Sequence, residues 1–246
     1  MKLKKILFGV LLISIPALSA DSLHGNNSKL SISLGYVQTT GNTETSTINI
    51  KSSYTYKTDS KRIYFDLNGL YGETNGKKTS ESILSNLRLE KRFLPYFAFW
   101  DVHYYRNPFQ AYEHSIGSGP GIGKYFFHTD RLYLTGSYYV YYVYNKLNQL
   151  SYFTNKQREK YFLHHVEERF RIKLLKSLKF KQKLIYKVSS RKSQDYFVYF
   201  ETSLINNLTK NLALEISYTA NYQNIPVGSK IKRLDTTFST LIQFSF

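Results

Sequence analysis

From Leu30 to the last residue the chain alternates, with apolar side chains returning at every second position in stretches separated by turn residues. A period of two belongs to a β-strand whose two faces meet different surroundings. In the first stretch Leu30, Ile32, Leu34 and Tyr36 oppose Ser31, Ser33 and Gly35; in the second Ile48, Ile50, Tyr54 and Tyr56 oppose Asn49, Lys51, Ser53 and Thr55. The pattern continues through Phe180, Leu184, Tyr186 and Val188 to Phe238, Ile242, Phe244 and Phe246, and twelve strands account for it. The connections alternate too. Short polar turns at 59–60, 94–95, 128–130, 176–177 and 206–210 take turns with longer links at 40–45, 72–80, 106–112, 145–158, 190–194 and 223–232. Tight turns at one end, longer loops at the other and an even number of antiparallel strands describe an outer-membrane barrel with both termini on the periplasmic side.

A soluble sandwich or lipocalin-like barrel would alternate as well. Two features count against it. A closed sheet of twelve strands is wider than the roughly eight whose interior a packed core or one ligand fills, and here the polar face is charged throughout. The apolar face carries Tyr, Phe and Trp100 near strand ends, drawn from 23 Tyr and 17 Phe, where they would sit at lipid headgroups as a girdle. The chain stops on Phe246, with Phe244 and Ile242 on the same face, the terminal pattern expected to serve as the signal for the outer-membrane assembly machinery. The expectation is an all-β fold: a twelve-stranded antiparallel transmembrane β-barrel in the cell outer membrane of a Gram-negative bacterium.

Composition removes other classes. Cysteine is absent, which excludes a disulfide scaffold, thiolate metal ligation and a Cys nucleophile. A mean hydropathy of -0.38 with one long apolar run excludes a polytopic helical protein. That run, residues 6–15, follows Lys2, Lys4 and Lys5 and ends at Pro16 before Ala17, Ser19 and Ala20, the layout of a secretory signal peptide. Residues 1–20 are therefore read as the signal, cleaved after Ser19 or Ala20, and residues 21–246 as the barrel. Losing three lysines and no acid lowers the formal charge from +17 to +14. Nucleic acid, the usual partner of so basic a chain, is set aside because no recognition motif accompanies the export signal.

The contents of the polar face bear on function. Alternation places Lys179, Lys181, Lys183, Lys187 and Arg191 on one face of the ninth strand. On the lipid side each would cost about 2 to 4 kcal/mol near the midplane, so these cations are expected to line the lumen. Ammonium groups in a water-filled barrel attract anions and repel cations. The same face also receives Asp66, Glu90, Asp101, Glu167, Glu201, Glu215 and Asp235 together with Arg88, Arg92, Arg169, Arg171 and Arg233, whose ion pairs could equally hold a closed interior. Basic residues of the longer links, such as Lys77, Lys78, Lys156 and Lys230, would meet lipopolysaccharide phosphates or simply water.

In the sixth strand Ser115, Gly117, Gly119, Gly121 and Gly123 leave one face almost without side chains. Such a face permits coiling and close approach by a bulky group. Pro120 removes a ladder donor, predicting a bulge or local break there. No catalytic constellation emerges: His114 and Ser115 point oppositely, His164 and His165 cannot share a metal, and Asp101, His103 and Tyr105 share a face with no nucleophile beside them. No catalytic residue, metal or cofactor is expected.

Residues 30–50, with Gly41, Asn42 and Thr43 at a turn, resemble the opening of the salt-induced outer-membrane protein family of bacteria. Residues 96–126, where Tyr104, Tyr105 and Arg106 precede a Gly-x-Gly-x-Gly strand, resemble that family's middle, and with Phe246 the likeness spans the mature chain. The resemblance implies an outer-membrane location and a link to salt or osmotic stress, in a family of largely unassigned function. A second likeness, to small monomeric porins for acidic oligosaccharides, rests on strand number and the basic row. Three readings follow: a small anion-favouring channel for small anions or acidic solutes; a non-conducting envelope barrel with a structural or salt/osmotic-stress role; and, as a minor alternative, an outer-membrane lipid-modifying enzyme. The partners expected of all three are outer-membrane lipid, lipopolysaccharide and the assembly machinery.

Overall fold

The computed structural model describes residues 27–40, 45–74, 77–151 and 154–246; the expected signal peptide at 1–20 and the Gly-Asn-Thr turn at 41–43 lie outside them. Twelve strands form: β1 (Ser28–Thr40), β2 (Thr45–Lys57), β3 (Lys61–Thr74), β4 (Lys77–Phe93), β5 (Tyr96–Asn107), β6 (Tyr112–His128), β7 (Leu132–Leu147), β8 (Arg158–Lys173), β9 (Leu178–Ser189), β10 (Tyr196–Asn207), β11 (Leu212–Gln223) and β12 (Leu234–Ser245). Each pairs antiparallel with its neighbours in sequence, and β12 closes on β1. Closure extends to the last residue, because Leu30 and Phe246 exchange both backbone hydrogen bonds, at 3.1 and 2.9 Å. A closed ladder leaves no edge, and in hydrocarbon every unpaired backbone group would cost several kcal/mol.

The alternation read from the sequence is the in-and-out parity of the wall. Ile122 and Val166 are 64% and 58% exposed on the outer surface, an arrangement no water-soluble core would leave. Phe238, Ile242, Phe244 and Phe246 are likewise exposed, while Ser239 and Leu241 between them are buried. The fold is the expected all-β, twelve-stranded closed barrel.

At the end that carries both termini the strands are joined by short turns: 58–60, 94–95, 129–131, 174–177 and 208–211. At the other end the links 148–157, 190–195 and 224–233 are longer, and a short 3-10 turn, Pro108–Gln110, joins β5 to β6. Asn107 starts that turn by accepting the N–H groups of Phe109 and Gln110, and Ala111 ends it at φ 69°, in the left-handed region.

One expectation is corrected and another is resolved between its two alternatives. The link foreseen at 72–80 is mostly strand, since β3 runs to Thr74 and β4 begins at Lys77. A register shift between Gly72 and Glu73 lets the ladder continue, and the polar side chains there are satisfied: Glu81 meets Lys78 of its own strand and Arg106 of β5, and the Tyr71 hydroxyl donates to Glu73 of its own strand at 3.1 Å. Polar composition marked a loop where water-exposed strand persists. At Pro120 the expected interruption takes the form of a local break and not of a bulge. The β6–β7 ladder lapses between Ser118 and Gly121 with its register unchanged, and the shifts fall instead between Tyr112 and His114 and between Tyr125 and Phe127. Facing Trp100 on β5 keeps Pro120 in line, so a missing donor is absorbed without an extra residue.

Candidate functional site

One wall of the interior, from β4 to β8, is packed. Gly117, Gly119, Gly121 and Gly123 leave the inner face of β6 bare, and large rings from β5 and β7 fill the space: a Cβ at Gly121 would fall on the Phe99 ring, one at Gly123 on Phe97, and one at Gly117 within 2.9 Å of Tyr141. Phe97, Phe99, Tyr125, Tyr139, Tyr141 and Tyr161 form one buried cluster with Val143 and Leu163. Phe97 packs on Tyr125 with ring centroids 4.8 Å apart, Phe99 meets Tyr139 edge-on at 5.5 Å, and His165 lies flat on Tyr139 at 4.3 Å.

Charges in this wall are tied together. Arg88, 3.9 Å above the Phe99 ring, donates both of its forked N–H groups to Asp101 at 2.7 Å and reaches Glu167 at 3.5 Å. Tyr141 donates to Asp101 at 2.8 Å and Tyr139 to Glu167 at 3.0 Å, while Arg169 also grips Glu167. Nearer the termini Arg62 stands 3.5 Å from Glu90, which accepts from Tyr125 at 2.8 Å. Asp101 is completely buried and Arg88 is 3% exposed. A bidentate pair with further tyrosine donors is the geometry that offsets the cost of burying both charges.

The opposite wall, from β9 round to β2, is built differently. Ser31, Ser33, Ser203, Ser217 and Ser239 are buried along it together with Ile185, Ile205 and Leu241. Lys179, Lys181, Lys183 and Lys187 take the inward positions of β9, where they face Ile205, Ser203, Glu201 and Phe197 of β10. Among the described residues none of these four lysines has a carboxylate within ion-pair distance. Of the nearby acids, Glu201 and Glu215 are held by Lys51, while Asp66 of β3 interacts electrostatically with Lys183 and Lys181. Lys51 of β2 reaches Glu201 at 3.8 Å and Glu215 at 3.5 Å, and Tyr199 donates to Glu201 at 2.7 Å. Lys183 sits 5.6 Å from the centre of the Tyr199 ring.

Arg191 does not belong to this row. It lies beyond the end of β9, 2.9 Å from Glu159 and 2.6 Å from Asp195, with its guanidinium 3.8 Å over Tyr161. Burial pulls its pKa down, and Tyr161, Asp195 and Glu159 more than offset the pull, so the pKa is raised and the group is a fixed cation at the rim.

The loop end is partly covered. Val227 and Ile231, from the link between β11 and β12, pack on Ala111, Tyr112 and Leu147 of the β5–β6 turn, β6 and β7. Three strands separate β7 from β11 in the barrel order, so this link reaches over the mouth. Asn224 anchors one end on the backbone of Tyr196 and Gln194, and Gln110 bonds Asp235 at the other. A cavity of about 570 Å³ remains between Gln149, Ser151 and Asn155 on one side and Gly228, Lys230 and Ile231 on the other.

Of the histidines considered above, His103, His114 and His164 are each hydrogen-bonded to one side chain, and His165 is stacked on Tyr139. His103 meets Asn86 at 3.3 Å, His114 meets Tyr104 at 3.0 Å, and His164 meets Tyr138 at 2.7 Å. Asp101 turns to Arg88, so no His–Asp pair forms. Sequence reasoning did not foresee the rings seated on β6, the bridge from Lys51 or the covering role of Val227. The glycine face was the one signal for the first; the other two depend on contacts between distant strands. Phe246, Phe244 and Ile242 stand in one outward row at the β12 terminus.

Three solved structures resemble this barrel. The NanC porin aligns with a TM-score of 0.59 at 8% identity, over 87% of this chain and 98% of that one. The KdgM porin, solved in complex with disordered oligogalacturonate, aligns at 0.50 and 12% identity, over 88% and 99%. An outer-membrane channel from Pseudomonas putida F1, of the COG4313 group, aligns at 0.51 and 7% identity, over 89% and 96%. At such identities the likeness is one of fold, that of outer-membrane porins and channels. No curated protein matches the sequence. A family model does match, over residues 32–246, and on it the chain belongs to the family described as a protein of unknown function, DUF481.

Proposed function

We propose that the protein is a small anion-favouring channel of the outer membrane, of the salt-induced type. The observation that carries this reading is the division of labour among the interior cations. Arg62, Arg88, Arg169 and Arg191 are each neutralised by a carboxylate, whereas Lys179, Lys181, Lys183 and Lys187 are not. Paired charges contribute little net field, so the sign of the potential along the open wall is that of the lysines. Solutes entering there would be small anions or acidic molecules. The export signal at residues 1–20, the lipid-facing girdle and the Phe246 terminus support delivery to the outer membrane, with the assembly machinery and lipopolysaccharide as partners. The link to salt or osmotic stress rests on the resemblance of residues 30–50 and 96–126.

A second reading, a non-conducting envelope barrel, draws on the packed β4–β8 wall and on Val227 across the mouth. The Lys181→Glu, Lys183→Glu double variant separates the two. On the channel reading, reversal potentials in a salt gradient shift from anion to cation preference while the barrel still folds. Unchanged selectivity would place those side chains outside the conducting path, and silence from both proteins would favour the structural reading.

A further inference from the structure

The outward face of β6 to β9 carries something a lipid-facing surface ordinarily avoids. Lys124 on β6 is the cross-strand partner of Gly136 on β7, and Gly136 is the partner of Glu168 on β8. All three point away from the lumen. Lys124 lies between the exposed Ile122 and Phe126, and Glu168 between Val166 and Phe170. Glu168 is five positions before the end of β8, so at about 3.3 Å per residue and a tilt near 40° it stands roughly 12 Å along the barrel axis from that end of the strand, among apolar outward neighbours. A carboxylate in such surroundings is costly unless it is paired.

Its own barrel supplies only part of what it needs. Gln182 donates one hydrogen bond at 3.2 Å. Lys124 is held by aromatic faces, 5.7 Å from the Tyr96 and Phe126 ring centres. Two strand spacings put the Lys124 and Glu168 backbones about 10 Å apart, and no ion pair joins them. Between them Gly136 has no side chain of its own, and the Phe126 ring lies over it, 3.0 Å from where a Cβ would stand.

A cation and an anion placed on either side of a glycine are complementary to their own image under a two-fold axis. We propose that this face is the interface between two copies of the chain, with the axis along the membrane normal through Gly136. Each Lys124 then reaches the partner's Glu168 and Gln182, with the Phe126 rings that lie over Gly136 packed between the two walls. The pairing satisfies two charges that lipid cannot, and it holds whether or not the lumen conducts.

The chain has no cysteine, so one introduced thiol can be cross-linked only to another molecule. In the full-length protein in outer membranes, Gly136→Cys treated with a short bis-maleimide should give a species of twice the chain's mass. Ile216→Cys, outward on β11 of the far wall, should stay monomeric. Adding Glu168→Lys to Gly136→Cys should abolish the dimer, and adding Lys124→Glu as well, which swaps the two charges, should restore it. Leu134→Cys, one position along the same face, repeats the test if Gly136→Cys does not fold. Folded monomer throughout, equal cross-linking from Ile216→Cys, or a product with the mass of a different protein would each overturn the proposal.

Discussion

The two interior walls of this barrel use charge in opposite ways. On the β4–β8 side Arg88, Asp101, Glu167 and Arg169 are locked to one another and roofed by tyrosines, and the glycine face of β6 exists to seat the rings. On the β9–β2 side four lysines share their surroundings with serines and lack an ion-pair partner. The lesson is that a tally of charged residues on a polar face does not reveal a lumen's electrostatics; pairing does. The same residue types act as staples in one wall and as field sources in the other.

Several perturbations would break or sharpen this contrast. The largest effect belongs to the staple. Arg88→Ala leaves Asp101 buried without its cation, while Glu167 keeps Arg169, and should destabilise the folded barrel by about 3 to 5 kcal/mol, read from urea unfolding in lipid vesicles. A change under 1 kcal/mol would mean that the network contributes little to holding the wall. Next comes the glycine face. Gly121→Val places its side chain on Phe99 and Tyr139, and should cost about 1 to 3 kcal/mol by overpacking in the same assay. Ala at the same position should cost less, because only a Cβ must be accommodated. The smallest effect is expected at Lys51. Lys51→Met frees Glu201 and Glu215 to approach the lysine row, so anion preference should weaken without reversing, while stability changes by under about 1 kcal/mol as for exposed pairs.

Strand number and parity were legible in the sequence because each depends on a period of two and on the local chemistry of turns. Residues 72–80 misled because a polar stretch reads as a loop whether it leaves the sheet or continues as strand beyond the lipid. Pro120 gave a local break in the β6–β7 ladder as its missing donor implies, with the register kept on both sides. What stayed hidden is non-local. Arg88 and Glu167 are 79 positions apart, and Lys51 and Glu215 are 164 apart. Whether such groups meet depends on barrel closure and stagger, which no local pattern encodes. Arg191 shows the same limit: its parity matched the row, yet Glu159 and Asp195 claim it.

The most direct test of the account is the reversal potential of the purified wild-type barrel in a planar bilayer under a salt gradient. Free ammonium groups along β9 predict discrete conductance steps with a reversal potential of the sign set by anion flow. Steps carried by cations, or a membrane that stays silent while the barrel is shown to be inserted, would contradict it.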